Sequence, residues 1–271
     1  MNKKMLIFTD LDGTLLDHYT YQTRSADCTI KRLKEKNIPI IPNTSKTLDE
    51  VLLIRADLKI ETPFIIENGA AVYIPVNYFR VQPDGTKLEN EFWVKSFCQK
   101  KDFWLSLLSA EARQFKPHFR GFSQMSAQQL ADLTGLSLTD AGLAKRRQFG
   151  EPVDWLGNQQ SQCDFVKHMH LLGANVLEGG RFLHISGNCD KGQAQSWLVQ
   201  QYKINQPEPA LTVVALGDGD NDTAMLEAAD IAVVVRSPVH AFPTLQRENE
   251  IYFSSEYGPA GWAECLQKII F

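Results

Sequence analysis

Short apolar runs alternate with stretches whose apolar residues return every third or fourth position, and this rhythm fills both ends of the chain. Residues 5–9 form an apolar run that stops at two aspartates, as a buried parallel strand would. Residues 29–36 and 48–58 have helical spacing, while 38–42 and 64–66 read as strands. Residues 70–74 predict the second arm of a hairpin after the turn Glu67-Asn68-Gly69. The same rhythm resumes late in the chain, with helices predicted at 190–202, 221–229 and 260–270. Strands are predicted at 211–216, 231–235 and 251–253. This alternation predicts an α/β fold: a Rossmann-like parallel-sheet core with helices on both faces.

The middle breaks the rhythm. Helices are predicted at 102–114, 126–133 and 161–172, and strands at 119–122, 153–156, 175–177 and 182–185. Residues 83–186 therefore read as an inserted α+β cap, and 1–82 plus 187–271 as the core domain. Phe103, Trp104, Leu107 and Leu108 share one helical face and predict core packing.

Four elements at strand ends or helix starts carry candidate chemistry, and open α/β sheets place ligands outside the carboxyl ends of their strands. Asp10 and Asp12 lie two apart on extended backbone, so their carboxylates share a side and repel unless a cation joins them. An Asx turn with a helix cap would use the same residues. Thr44, Ser45 and Lys46 follow a strand, where a hydroxyl and backbone amides hold a phosphate oxygen or cap a helix. Lys191 opens a helix and is either a site residue or a solvated lysine. The run Gly217-Asp218-Gly219-Asp220-Asn221-Asp222 supplies oxygen ligands suited to a hard metal ion.

Charge and cysteines narrow the field. The 271 residues carry 28 Lys and Arg against 32 Asp and Glu, a net charge of −4, which gives no broad positive field for nucleic acid. The five cysteines are scattered without zinc or redox spacing. The apolar run at the start is too short for a signal peptide or membrane span, so a cytoplasmic protein is expected. His168 and His170 diverge on a helix, and His18, His118 and His240 have no partner in the sequence pattern.

Taken in order, Asp10-Leu11-Asp12-Gly13-Thr14, Thr44, Lys191 and Asp218 with Asp222 resemble the four motifs of the haloacid dehalogenase-like superfamily of aspartate-nucleophile phosphatases. The resemblance implies that Asp10 attacks phosphorus and that Asp12 is the acid and base. It implies Mg²⁺ held by Asp10, Asp12, Asp218 and Asp222, and phosphate bound by Thr44, Ser45 and Lys191, with Asn221 in support. Within the Cof-type sugar phosphatases, Ser45-Lys46-Thr47 looks like the pattern of the mannosyl-3-phosphoglycerate phosphatases. Arg147-Gln148-Phe149-Gly150-Glu151-Pro152 and Gly179-Gly180-Arg181-Phe182 resemble two further segments of that family, although Gly150 stands where the family has Ser. Lys46, Arg147, Glu151, Arg181 and His184 are then the expected contacts to a small phosphorylated sugar or glycerate. The alternatives are a phosphatase of glucosyl-3-phosphoglycerate or another sugar phosphate, a sugar phosphomutase, and a non-catalytic metabolite-binding module.

Overall fold

A computed structural model describes residues 4–179, 182–205, 207 and 210–271. Strand β1 (Lys4–Thr9) is followed by α1 (Asp27–Glu35), β2 (Ile40–Pro42) and α2 (Leu48–Leu58). Next come β3 (Phe64–Ile66), β4 (Ala71–Pro75), β5 (Lys87–Glu89) and β6 (Phe92–Ser96). The middle holds α3 (Lys101–Glu111), β7 (Phe119–Gly121), α4 (Ala127–Thr134) and α5 (Leu138–Ala144). It continues through β8 (Glu151–Trp155), α6 (Gln159–Leu171), β9 (Asn175–Gly179) and β10 (Phe182–Ser186). The chain closes with α7 (Lys191–Asn205), β11 (Leu211–Gly217), α8 (Thr223–Glu227), β12 (Ile231–Arg236), β13 (Ile251–Tyr257) and α9 (Gly258–Ile270).

Five strands form a parallel sheet in the order β13-β12-β11-β1-β2. Successive side chains of a strand face opposite sides, so the unbroken buried runs Leu6–Phe8 and Ala232–Val235 require cover on both faces. That explains why these strands lack polar alternation. Burying each such side chain contributes about 1.5–3 kcal/mol. The crossovers from β1 to β2 and from β11 to β12 run through helices, as parallel neighbours require.

Contact clustering divides the chain into two compact units. The first comprises Met1–Ser45, Lys59–Lys95 and Asp190–Phe271; the second comprises Lys46–Leu58 and Ser96–Cys189. These bounds differ from the expected cap of 83–186. Strands β5 and β6 join β3 and β4 in a four-stranded sheet, order β3-β4-β6-β5, which draws 83–95 into the first unit. Asn90, with φ of 53°, turns the β5–β6 hairpin. In the second unit α2 lies beside α5: the Thr47 hydroxyl donates to the Leu143 carbonyl at 3.3 Å, and Arg146 pairs with Asp49 at 3.1 Å. An antiparallel sheet in the order β7-β8-β10-β9 packs with α3 and α6 around Trp104, Leu108, Val153, Phe165, Met169 and Leu183. Among the described residues no helix is long and apolar enough to cross a membrane.

The edge strand β13 is fastened by one carboxylate. Glu264 accepts hydrogen bonds from the amides of Ser255 and Glu256 at 3.0 and 3.1 Å. It also accepts from the Ser255 hydroxyl at 2.8 Å and Lys268 Nζ at 2.7 Å. The Lys268 bond, then the amides, hold its carboxyl down at about 2. A depressed carboxyl contributes stability above its ordinary value, and that contribution disappears as pH falls through the folded value. Glu264→Gln should therefore cost about 1 kcal/mol at pH 7. Its deficit against the parent in urea melts should shrink as pH falls from about 4.5 towards 2; a pH-independent deficit would remove the electrostatic explanation.

Candidate active site

Strand β1 ends at Thr9, and its neighbours β2 and β11 end alongside it, so the residues that follow all three converge. The Asp10 amide donates to the Leu216 carbonyl at 2.9 Å and the Asn43 amide to the Thr9 carbonyl at 2.8 Å. Trp262, fully buried on α9, donates to the Thr9 hydroxyl at 3.0 Å, and that hydroxyl donates to the Asp10 carbonyl at 2.7 Å. Asp10 is thus placed by backbone, with little freedom left to it.

Lys191 enters from the first turn of α7 and is wholly buried. Its Nζ lies 2.6 Å from Asp10 Oδ1 and 2.6 Å from Asp222 Oδ1. Its own carbonyl accepts from Asn43 Nδ2 at 3.0 Å. Gly192 lets α7 approach α8: an added Cβ would sit 2.3 Å from the Ala224 carbonyl oxygen. Asp222 gives its second oxygen to the amides of Asp218 and Gly219, at 3.0 and 3.1 Å. Both its oxygens are therefore engaged inside the protein, and it braces the turn after β11. Asp218 accepts from the Thr14 hydroxyl at 2.9 Å through Oδ1, and its Oδ2 faces His240 Nε2 at 3.3 Å. Gly13, with φ of 77°, lies so close that a Cβ there would meet Asp218 Oδ2 at 2.6 Å.

Asp10, Asp218 and Asp222 can bring one oxygen each within 4.8 Å of one another, and all three are buried. One ammonium among three carboxylates leaves two negative charges unbalanced. Burial raises the Asp10 carboxyl well above its usual range; Lys191 opposes the rise, while Asp222, Asp218 and Asp12 add to it. Asp218 is raised by burial and by Asp222, with Thr14 opposing. Burial would lower Lys191, but Asp10 and Asp222 together hold it above the usual lysine value, so it stays charged. An all-oxygen donor set with excess buried negative charge fits a hard divalent cation.

Several other expected residues lie nearby. Thr44 is fully buried at the end of β2; its amide donates to Ile65 and its carbonyl accepts from Asn68, at 3.1 and 2.9 Å. Ser45 follows it, half-buried. Asp12 is half-buried and bridges in backbone to Leu16. Asn221 turns away from Lys191: it is exposed, and its Nδ2 donates to Asn68 Oδ1 at 3.2 Å. The segment Glu67-Asn68-Gly69 holds three consecutive positive φ angles, 48°, 59° and 91°. Such backbone costs about 1–3 kcal/mol per non-glycine residue and concentrates at functional sites.

In the second unit, Lys46 pairs with Glu50 at 3.5 Å, and Arg147 is half-buried. His184 is half-buried on β10, opposite Pro152 and Leu177. Glu151, expected to meet sugar hydroxyls, is tied to Ser123 within the second unit. It is buried, and its two oxygens take the Ser123 amide and hydroxyl, each at 2.8 Å. Burial raises its carboxyl, against which Ser123, Lys101 and Arg147 act. Arg181 lies outside the described residues. The sequence reading missed Thr14 and His240 as neighbours of Asp218, and Asn43 and Gly69 as neighbours of Lys191. Thr14 carried a signal, since it closes the Asp10–Thr14 motif; a lone histidine such as His240 carries none.

Known proteins resemble this chain in sequence and fold. Residues 7–106 match the family model described as haloacid dehalogenase-like hydrolase, and residues 165–268 match the one described as sucrose-6F-phosphate phosphohydrolase. The chain is 33% identical over 267 residues to a glucosyl-3-phosphoglycerate/mannosyl-3-phosphoglycerate phosphatase of Methanococcoides burtonii, covering 98% of this chain and 97% of the relative. It is 35% identical over 274 residues to a protein of the same description from Persephonella marina, again covering 98% and 97%. Among solved structures, a Thermotoga maritima protein superposes with a TM-score of 0.65 at 18% identity, over 100% of this chain and 98% of that one. A Bacteroides thetaiotaomicron phosphatase of the haloalkanoate enzyme superfamily superposes with a TM-score of 0.66 at 17% identity, covering 98% and 95%. These two establish likeness of fold.

Gly69 allows the 67–69 turn to sit against the start of α7, since a Cβ there would lie 2.0 Å from the Asp190 carbonyl oxygen. Gly69→Ala should destabilise the protein by about 2–4 kcal/mol through this clash and the positive φ. Gly135→Ala, which also has positive φ but meets nothing within 4 Å, should cost less. Equal losses in thermal or urea unfolding would show that the contact with α7 is unimportant.

Proposed function

The chain belongs to the haloacid dehalogenase-like phosphatases, and from that premise we propose that it hydrolyses mannosyl-3-phosphoglycerate, or its glucosyl counterpart, through an aspartyl phosphate on Asp10. The observation that carries the chemistry is the buried Lys191 ammonium, 2.6 Å from both Asp10 and Asp222. It fixes one Asp10 oxygen and leaves Oδ2 outside that pair as the nucleophile. The substrate assignment is supported by two relatives of that description matched over nearly their whole length.

In-line attack of Asp10 on phosphorus would form an acyl phosphate and release the glycerate alkoxide. Asp12 would give that oxygen its proton, then take one from the water that opens the acyl phosphate. Thr44, Ser45 and Lys191 would hold the non-bridging phosphoryl oxygens, whose charge needs donors at fixed positions. Asp10, Asp218 and the Asp12 carbonyl would hold Mg²⁺, with Asp222 behind them; the ion supplies charge neutralisation between carboxylate and phosphate. Lys46 and Arg147 are the cations suited to the glycerate carboxylate, which a guanidinium binds in forked geometry. His184 is a candidate for the sugar hydroxyls.

Phosphate release with Mg²⁺ across sugar phosphates, both glycosyl-3-phosphoglycerates and nucleotides should show the glycosyl-3-phosphoglycerates preferred by at least about tenfold in kcat/KM. A nucleotide or simple hexose phosphate preferred by that margin would sink the substrate and leave the chemistry standing. Asp10→Asn should lower kcat at least about a thousandfold, because an amide cannot form the acyl phosphate. Turnover within tenfold of the parent would sink the mechanism. Mg²⁺ should raise Tm of the parent, by about 2.7 kcal/mol of stability at one hundred times Kd. Asp218→Asn should remove most of that shift.

A further inference from the structure

We propose that Asn68 is a substrate-binding residue, its side-chain amide donating to a phosphoryl oxygen of the bound ester beside Thr44. The inference rests on the reading that Thr44, Ser45 and Lys191 hold a phosphoryl group.

Three segments of the candidate site meet at this residue. The Asn68 backbone amide donates to the Thr44 carbonyl at 2.9 Å, which ties it to the segment after β2. Its Oδ1 accepts from Asn221 Nδ2 at 3.2 Å, which ties it to the turn after β11. The next residue, Gly69, lies against the start of α7, where a Cβ would sit 2.8 Å from the Lys191 backbone nitrogen. Gly219 leaves room for the far end of the Asn221 amide, since a Cβ there would meet Asn221 Oδ1 at 2.9 Å. Asn68 is therefore fastened from three directions, yet its side chain is only half-buried.

The turn itself does not require an asparagine. A φ of 59° is one that glycine adopts freely, whereas a residue with a side chain is held there at a cost. The side chain also has hydrogen bonds left to give. With Oδ1 taken by Asn221, Nδ2 carries two hydrogens that meet no acceptor among the described residues. Exchanging the ends of both amides would still leave Asn68 one hydrogen. A primary amide is neutral, so it adds a donor without disturbing the balance of Lys191 with Asp10 and Asp222. A phosphoryl group presents three charged oxygens, which take more donors than Thr44, Ser45 and Lys191 supply.

The experiment is calorimetric titration of the full chain with inorganic phosphate, Mg²⁺ present, for the parent, Asn68→Gly and Asn68→Asp. Phosphate release from p-nitrophenyl phosphate and the glycosyl-3-phosphoglycerates, and thermal melts, accompany it. Asn68→Gly should weaken phosphate binding at least about fivefold and lower kcat/KM about tenfold to a hundredfold on every ester. It should melt at or above the parent temperature, because the backbone angle suits glycine. Asn68→Asp keeps the shape but replaces the donor by a negative oxygen, and should weaken phosphate further. An Asn68→Gly protein that binds phosphate and turns over within about twofold of the parent overturns the proposal, since the amide then meets only water. A melt well below the parent, with phosphate affinity kept in Asn68→Asp, also overturns it by making the role structural. So does a loss confined to the glycosyl esters with phosphate affinity unchanged. If the parent binds phosphate but hydrolyses no ester, the phosphatase reading falls, while weaker phosphate binding in Asn68→Gly still upholds the contact. If the parent binds no phosphate, both fall.

Discussion

The structure around the candidate active site depends on one ammonium held in a dry interior. Lys191 has no contact with solvent, and removing a charge from water costs several kcal/mol unless partners replace the lost hydration. Asp10 and Asp222 replace it, each at 2.6 Å. The three residues come from widely separated parts of the chain and meet only because β1 lies beside β11 in the parallel sheet. The pairing therefore enforces the register of α7 against the sheet as much as it arranges chemistry. Asp222 extends that hold, because its other oxygen ties down the amides of Asp218 and Gly219.

The same arrangement is electrostatically incomplete. Lys191 cannot balance three buried carboxylates, and burial lifts Asp10 and Asp218 above the usual carboxylate range. The protein tolerates this because the surrounding framework leaves the carboxylates nowhere to relax. The Trp262–Thr9–Asp10 chain and the Thr14–Asp218 bond fix two of them from behind. The positive-φ turn at 67–69 is a second unfavourable feature packed against the same lysine helix. A site held together at some cost to folding is what phosphoryl transfer asks for, since its donors must be in place before charge spreads over the phosphate.

Much of the core was legible because of how parallel strands are buried. β1, β11 and β12 are covered on both faces, so they read as unbroken apolar runs, and the polar residues that end them announce the strand tips. Asp10 and Asp218 stand at two of those tips, and Thr44 follows β2 in the same way. β5 could not be read this way, since Lys87–Glu89 is charged and largely exposed and carries no strand pattern, so its segment falls within the expected cap. α5 was missed because its seven residues are too short for a periodic signal. Asn221 sits in the correct turn, but a 3-10 geometry over Asp220–Asp222 swings it out to Asn68. His240 reaches Asp218 from a turn beyond the next strand, a proximity set by the sheet and invisible along the chain.

Glu151 shows why a family-like segment marks structure as readily as contact. Both oxygens of Glu151 are engaged by Ser123, one by its amide and one by its hydroxyl. Gly121 makes room for that engagement, since a Cβ there would meet Glu151 Oε1 at 2.4 Å. The carboxylate therefore staples the 121–124 turn to β8, and the Pro152 that follows sits within the β8–β10 pairing. Arg147, which lowers the Glu151 carboxyl against the effect of burial, is coupled to the same staple. The segment from Arg147 to Pro152 is then first a device for setting the edge of the second unit's sheet. Any contact it makes with substrate depends on that edge being set.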